Sequence, residues 1–570
     1  MNTMNPIYTQ KTECQDCYKC VRRCSFKAIK IEDGHAIVIP ESCVLCGKCV
    51  EVCPAQAKKV RNDLVRADFL LSSKRKVIAS LAPSYVSEFG AEAEKIPYYL
   101  KSLGFAGVSE TALGAELVSA AIPSVLKKGK VNITSACPVV VEIVEKYYPH
   151  LSDRITPLLS PALAHAKELK RRFGADIEVV FFSPCIAKKK EADAHAGLIS
   201  VSLSFRDLRE MIERAGAAVS AEGESPFMTE RSGAGNLYPV EGGLLHTLRS
   251  RCSMIEDDYI SVSGLGESMM ALDSVEALED DWRTIVMELM ACKGGCVNGP
   301  LCSTKAPALA RRQSVIALSS GAKMPELETD ASFLAESYAP AAAGGRQFTD
   351  AEITSTLRSI GKMSQDDMLN CAGCGYDSCR EFAAAVLSGK AERSMCVSYM
   401  RRLAQKKANA LIKSMPSGVV IVDENMTIFE CNANFAHQMV EESELMLAAR
   451  PGLEGANLEK ILPGHVCEMF REVMNSGSGI SEKDARIGSN FFHCTVFPIE
   501  KNHAAGGIFQ DVTSPMMRKK TVVEKTRQVI SKNLETVQTV AALLGENAAS
   551  TEVLLNSIME SYRVSGDDDE

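Results

Sequence analysis

The sequence predicts a multidomain chain of α/β and α+β parts, and three observations carry that expectation. A cysteine run, CQDCYKCVRRC, is followed by a second, CVLCGKCVEVC. Each reads C-x2-C-x2-C-x3-C, a spacing with which a chain wraps cubane iron–sulfur clusters. From about Lys74, short apolar runs alternate with helix-like segments, the pattern of an α/β domain. Further on, SGVVIVDENMTIFECNANFAHQM reads as strand, turn, strand and helix, with GGIFQDVT as a closing strand.

Composition bounds the rest. A chain of 570 residues with 46% hydrophobic content can bury several cores. Net charge is −8 without a concentrated basic stripe, so no nucleic-acid partner is expected. The opening MNTMNPIYTQ lacks the apolar core of a signal peptide, and no apolar run reaches spanning length. The expectation is a cytoplasmic chain with no membrane partner. Twenty-one cysteines in such a chain favour metal binding over disulfides.

Residues 1–73 hold the two cysteine runs, which resemble those of two-cluster bacterial ferredoxins. In that family the fourth cysteine of each run serves the other cluster. The resemblance implies one 4Fe–4S cluster on Cys14, Cys17, Cys20 and Cys53, and a second on Cys43, Cys46, Cys49 and Cys24. Ser25 replaces the proline usual after the fourth cysteine, while Pro54 keeps it. Zinc is the lesser reading, because zinc sites pair two C-x2-C knuckles.

In residues 74–337, three apolar runs end in cysteine loops. Val131 to Ile133 leads to Cys137, Ile177 to Phe182 leads to Cys185, and Ile285 to Met290 leads to Cys292 and Cys296. Such runs read as buried strands, and ligands gather beyond the carboxyl ends of parallel strands. Four thiols from three strand ends would then meet at one point, the ligand set of a 4Fe–4S cluster.

The loops TSACP, SPCIAKKKE and ELMACKGGCVNGP resemble the three signature motifs of the FeFe-hydrogenases, over about Lys74 to Pro300. That resemblance implies an H-cluster, in which Cys137, Cys185, Cys292 and Cys296 hold a 4Fe–4S half. Cys296 would also bridge to a two-iron unit carrying CO, CN and a dithiolate amine. Lys188 matches the lysine that hydrogen-bonds a cyanide ligand, with Glu191 completing its motif, and Glu288 and Met290 match positions of the third. Cys296, Lys188, Ser160 and Met290 are the candidate catalytic positions, although Ser160-Pro161 also fits ordinary turn chemistry. Lys189 and Lys190 read as a solvated charge run. Ser232 to Gly243 resembles a glycine-rich stretch of the family, or is a turn.

The departures matter as much. Ala136 stands where the family has its proton-donating cysteine, and Leu117 to Lys127 holds no carboxylate where the family places them. Ser183 stands where the family usually has Met. These changes keep the cluster ligands and remove the proton path.

Residues 338–400 comprise a linker, APAAAGGR, and a small cysteine segment. Cys371, Cys374, Cys379 and Cys396 resemble the ligands of a small 4Fe–4S domain, with zinc again the lesser reading. Residues 401–514 are expected to hold a connecting helix and a domain that resembles PAS sensors. Residues 515–570 form a C-terminal signalling helix and acidic tail. There Ile530, Leu534, Val537, Ala541, Leu544 and Ala548 form a coiled-coil-like seam or pack against the PAS domain. No histidine follows His503 and no glycine-rich ATP site is evident, so the chain is not expected to be a histidine kinase. Core burial is expected for Cys252, Cys302, Cys431, Cys467 and Cys494.

Together these resemblances imply a sensory FeFe-hydrogenase that oxidises hydrogen slowly, with three 4Fe–4S clusters plus the H-cluster. Its implied partners are hydrogen and protons, a redox partner such as ferredoxin, hydrogenase maturation proteins, a downstream signalling protein in trans, and a second copy in a homodimer. The alternatives are a metabolic ferredoxin-dependent hydrogenase, or a non-catalytic iron–sulfur scaffold of the hydrogenase-related type.

Overall fold

The computed structural model describes residues 5–216, 219, 225–249, 258–278, 283–320, 330–341, 346–440, 453–513 and 527–533. The chain divides into two compact units, Met1–Met395 and Cys396–Glu570. The first unit opens with strands β1 (Ile7–Thr9), β2 (Ile29–Glu32), β3 (His35–Val38) and β4 (Lys58–Val60). β1 pairs antiparallel with β4, and β2 with β3. Short helices Lys19–Arg23 and Lys48–Val52 lie inside the two cysteine runs.

Seven strands follow: β5 (Val77–Leu81), β6 (Gly107–Glu110), β7 (Val131–Ile133), β8 (Glu178–Phe182), β9 (Val201–Leu203), β10 (Tyr259–Ser263) and β11 (Ile285–Met290). They form two parallel sheets, in the orders β6-β5-β8-β9 and β10-β11-β7. β5, β6, β7 and β11 are buried along their whole length, as expected where helices cover both faces of a parallel sheet. Helix Pro161–Phe173 is fixed across the first sheet by His165. Its ring nitrogens lie 2.8 Å from the Ser80 hydroxyl and 2.7 Å from that of Ser109. Burial pushes its pKa down to about 3, so the ring is neutral at pH 7.

Two expectations about charge need correcting. Lys189 is buried, not solvated: its ammonium donates to Asp63 and to the Ser202 carbonyl, both at 3.0 Å. Asp63 also receives Arg61 at 3.0 Å, and Arg61 continues to Asp193 at 2.7 Å. Burial alone would raise the Asp63 pKa, but Lys189 and then Arg61 outweigh it and hold the carboxyl low. This network ties the start of helix Leu64–Ser72 to helix Ala187–Ala194, which carries Lys188. Lys190 pairs with Glu142 and stays partly exposed. The second correction concerns the helix read as free of carboxylates. It runs from Ala112 to Val125 and carries Glu116, one residue before the interval considered, fully buried.

The second unit begins with helix Val397–Ser414, followed by β12 (Gly418–Asp423), β13 (Ile428–Cys431), helix Ala433–Met439, helix Gly464–Ser476, β14 (Ser481–Ile487), β15 (Asn490–Glu500) and β16 (Ala504–Asp511). The sheet is antiparallel in the order β13-β12-β16-β15-β14. The expected first two strands, helix and last strand are present. Helix Gly464–Ser476 and the β14–β15 hairpin were not anticipated. Cys431, Cys467 and Cys494 lie in this unit's core as expected. Cys252 and all of the expected C-terminal seam except Ile530 lie outside the described residues.

Candidate functional site

The candidate site forms where the two parallel sheets of the first unit present their carboxyl ends. Cys137 follows β7 and caps helix Pro138–Tyr147. Cys185 follows β8, and Cys292 and Cys296 follow β11. The approach of β7 is fixed by Thr134, whose N–H donates to Met287 at 3.0 Å, and by Ser135, whose hydroxyl donates to the Leu158 carbonyl at 2.7 Å. The β11 turn is fixed by its glycines. Gly295 has φ +100° and lies beneath Pro239, where an added Cβ would stand 2.2 Å from the carbonyl oxygen. Only glycine fits that position. Glu288, fully buried in β11, accepts from Tyr259 at 2.7 Å, Ser261 at 2.8 Å, and the N–H groups of Gly242 at 3.1 Å and Leu244 at 3.3 Å. It anchors the glycine-rich stretch above the loop, a positioning task, and burial holds its pKa high.

The four thiols meet. Burial pushes the Cys185 thiol up to about 11, with the Cys137 charge adding to it. Cys296 is raised the same way, by burial first and then by Cys137 and Cys185. Four convergent thiols, with Cys185, Cys292 and Cys296 each raised by burial and by neighbouring thiols, suit a multi-iron cation, whose charge stabilises every thiolate at once. The donor set therefore fits the cubane half of an H-cluster.

Beside the thiols lies a largely apolar cavity of about 120 Å³, lined among others by Ala136, Pro161, Ser183, Tyr238 and Met290. Lys188 also lines it, donating 2.9 Å to the Ser160 hydroxyl and 2.6 Å to Glu191. Ser160 caps helix Pro161–Phe173, accepting from the Leu163 N–H. An apolar chamber with one positioned ammonium and an adjoining thiolate set fits a compact two-iron unit with small anionic ligands.

Glu116 accepts from the Gly235 N–H at 2.7 Å and from the Ser232 hydroxyl at 3.3 Å, bracing the turn that brings Gly235 and Tyr238 to the cavity. Cys302 was expected to be a core residue. Instead, its thiol donates to the Val297 carbonyl at 3.3 Å, beside the Cys296 loop. Its place one turn beyond CVNGP was the available signal.

The ferredoxin-like cysteines fall into two crossed groups. Cys20 is raised by burial and feels Cys53 and Cys14. Cys46 is pushed up to about 12 by burial and feels Cys24 and Cys43. Cys49 likewise feels Cys43, Cys46 and Cys24. Cys17 is exposed. Cys371, Cys374 and Cys379 lie in one loop and helix start of the first unit, whereas Cys396 opens the second. Among the described residues every cysteine is free of a disulfide, and no helix is long and apolar enough to cross a membrane.

Comparison with known proteins agrees with this geometry. Residues 75–300 match the family model of the iron-only hydrogenase large subunit, C-terminal domain. Residues 13–58 match a 4Fe-4S dicluster domain, and residues 367–398 match an Fe-S cluster family. Iron hydrogenase 1 of Clostridium pasteurianum is 28% identical over 371 residues, covering 51% of this chain. The match spans 64% of that relative's length. An uncharacterised ferredoxin of Methanocaldococcus jannaschii is 39% identical over 49 residues, 8% of this chain and 79% of its own. Among solved structures, an FeFe-hydrogenase from a study of oxygen inactivation is 17% identical with a TM-score of 0.41, covering 50% of this chain and 100% of its own. Residues 75–300 are thus a domain of the FeFe-hydrogenase family, with cluster-binding segments on either side, and the chain is a hydrogenase-like iron–sulfur protein.

Proposed function

We propose that this chain is a sensory FeFe-hydrogenase, which binds hydrogen at an H-cluster, oxidises it slowly, and relays the redox state through iron–sulfur clusters to a PAS domain. The observation that carries this reading is Ala136. It lines the cavity next to Cys137, where the enzymes it resembles carry a proton-donating thiol. Cys137, Cys185, Cys292 and Cys296 would hold the cubane, with Cys296 the thiol that would also serve the two-iron unit. When bound, that unit supplies the metal chemistry that activates hydrogen.

The chain's own groups do the rest. Lys188, held by Ser160 and Glu191, keeps a positive charge at the cavity wall for an anionic cyanide. Met290 and Pro161 keep that wall apolar and exclude water. Ala136 can neither give nor take a proton. Loss of a positioned acid or base typically costs about 10²–10⁴ in rate, which suits a sensor better than a metabolic enzyme.

Anaerobic infrared spectra of the matured protein test the reading. Carbonyl and cyanide bands are expected, and a protein with loaded cubanes but no such bands would be a scaffold. Ala136→Cys is expected to raise hydrogen evolution by about tenfold, less than the full 10²–10⁴ of a complete relay. The gain is partial because Glu116 already serves the Ser232 and Gly235 turn. Wild-type turnover as fast as metabolic hydrogenases, or no gain in the variant, would sink the sensing argument.

For the output, the Fe-S family match spans Cys371, Cys374, Cys379 and Cys396, which supports a third cubane on these residues. Cys396 also caps helix Val397–Ser414. The far end of that helix is tied to the sheet by buried Asn432, whose amide donates to Ile412 at 3.1 Å and Ser417 at 2.8 Å. A change in cluster charge at the helix start thus has a continuous element to act on. Signalling then passes to a protein in trans, and a PAS homodimer is compatible with this.

A further inference from the structure

Resting on that assignment of ligands, we infer that the Cys24, Cys43, Cys46 and Cys49 cluster is a branch point. It passes electrons to the C-terminal cluster directly, through the contact of Lys27 and Tyr376, while the Cys14, Cys17, Cys20 and Cys53 cluster is a side branch facing outside partners.

The first half of the argument is how the branch cluster meets the hydrogenase site. Cys24, Cys43, Cys46 and Cys49 pack on the same apolar core as Cys137 and Cys185, a core that includes Val44, Ile133 and Ile186. Gly47 faces Pro300 so closely that an added Cβ would lie 2.5 Å from its ring. Cys14, Cys17, Cys20 and Cys53 do not join that core.

The second half is how the C-terminal cysteine loop docks. The turn that presents Cys24 is closed by the Lys27 N–H on the Cys24 carbonyl, at 3.2 Å, and by the Ala28 N–H on its sulfur, at 3.3 Å. From this turn the Lys27 ammonium donates to the Gly375 carbonyl at 2.7 Å and stands 5.6 Å from the Tyr376 ring centre. Gly375, at φ +92°, lies against Val21 and Arg22, where an added Cβ would meet Val21 at 2.9 Å. Tyr376 is buried at this contact. The segment also reaches the Cys14 side, where the Gly34 N–H donates to Glu392 at 3.4 Å and the Arg22 guanidinium donates to the Gly373 carbonyl at 3.4 Å and to the Cys17 carbonyl at 2.9 Å. The first contact lies beyond the cysteine loop, and the Arg22 bridge joins backbone carbonyls and touches no thiol. Cys17, by contrast, is solvent-exposed and suits exchange with a diffusing redox partner.

Each transfer moves one electron from a reduced cubane to an oxidised neighbour, with no bond made or broken. Hydrogen supplies the electron pair at the H-cluster and releases both protons there. Two reduced states can then leave by different doors.

The test uses the full reconstituted chain, reduced chemically, with pulsed EPR as the readout. The C-terminal cluster signal should show spin coupling to a neighbour. That coupling should persist in Cys17→Ala, and it should be lost in Cys46→Ala. Under hydrogen, Cys17→Ala should still reduce the C-terminal cluster while losing reduction of added ferredoxin. Lys27→Gln, which touches no ligand, should shift the potential of the C-terminal or the branch cluster downward and leave the Cys14 cluster unmoved. Coupling that vanishes in Cys17→Ala, or survives in Cys46→Ala, overturns the branch. The chemically reduced arm needs no hydrogen. A chain without turnover that keeps this coupling therefore overturns the hydrogenase reading and supports the branch.

Discussion

Cys296→Ser is expected to remove hydrogen turnover altogether and to erase the carbonyl and cyanide bands, while the other three clusters remain. The thiol is the one proposed to join both halves of the H-cluster, and it lies beside Cys137 and Cys185, whose charges raise it. A serine hydroxyl is a hard, poorly ionised donor, whereas the site is built for soft thiolates. Without the two-iron unit the rate should fall by about 10⁶-fold or more, the lower range of enzymic acceleration. Bands that persist in this variant would reassign the bridging role. Shifted bands with all iron retained would reveal mere misplacement of the unit, so iron content is measured alongside.

The second large effect lies away from the iron. Asp63→Ala should cost about 3–5 kcal/mol, because it leaves the Lys189 ammonium buried without its main counterion. Asp207 remains only at 3.8 Å. That corresponds to a fall in the thermal midpoint on the order of 10 °C. Lys189→Met should cost less, since Asp63 keeps Arg61 at 3.0 Å. The pH dependence has a defined sign. The folded pKa of Asp63 lies below its unfolded value, so the contribution is complete above about pH 4 and is lost as the pH falls further. Thermal melts of both variants at pH 7 check the magnitudes, and equal midpoints for wild type and Asp63→Ala would show the network to be inert.

That network was also the part least legible in the sequence. Val131 to Ile133, Ile285 to Met290 and the cysteine loops could be read directly, because an apolar run ending in a turn is a local signal. The lysine run at 188–190 looks solvated by the same local logic. Lys189 is buried only because Asp63, remote in sequence, comes to meet it. Glu116 escaped notice because the helix starts at Ala112, earlier than the apolar run indicated. The β14–β15 hairpin alternates buried Phe492, Cys494 and Val496 with exposed or half-exposed neighbours, a period of two that was there to be counted. Charged residues at 482–484 hid it.

The four thiols of the candidate site come from two separate sheets, β8 in one and β7 and β11 in the other. Iron bound there works as a clamp between two halves of one domain, and its binding energy becomes folding energy. Cluster insertion and folding of this domain would thus be one process. A chain short of iron would be not merely idle but loosened, with its sheets free to part and its backbone open to proteolysis.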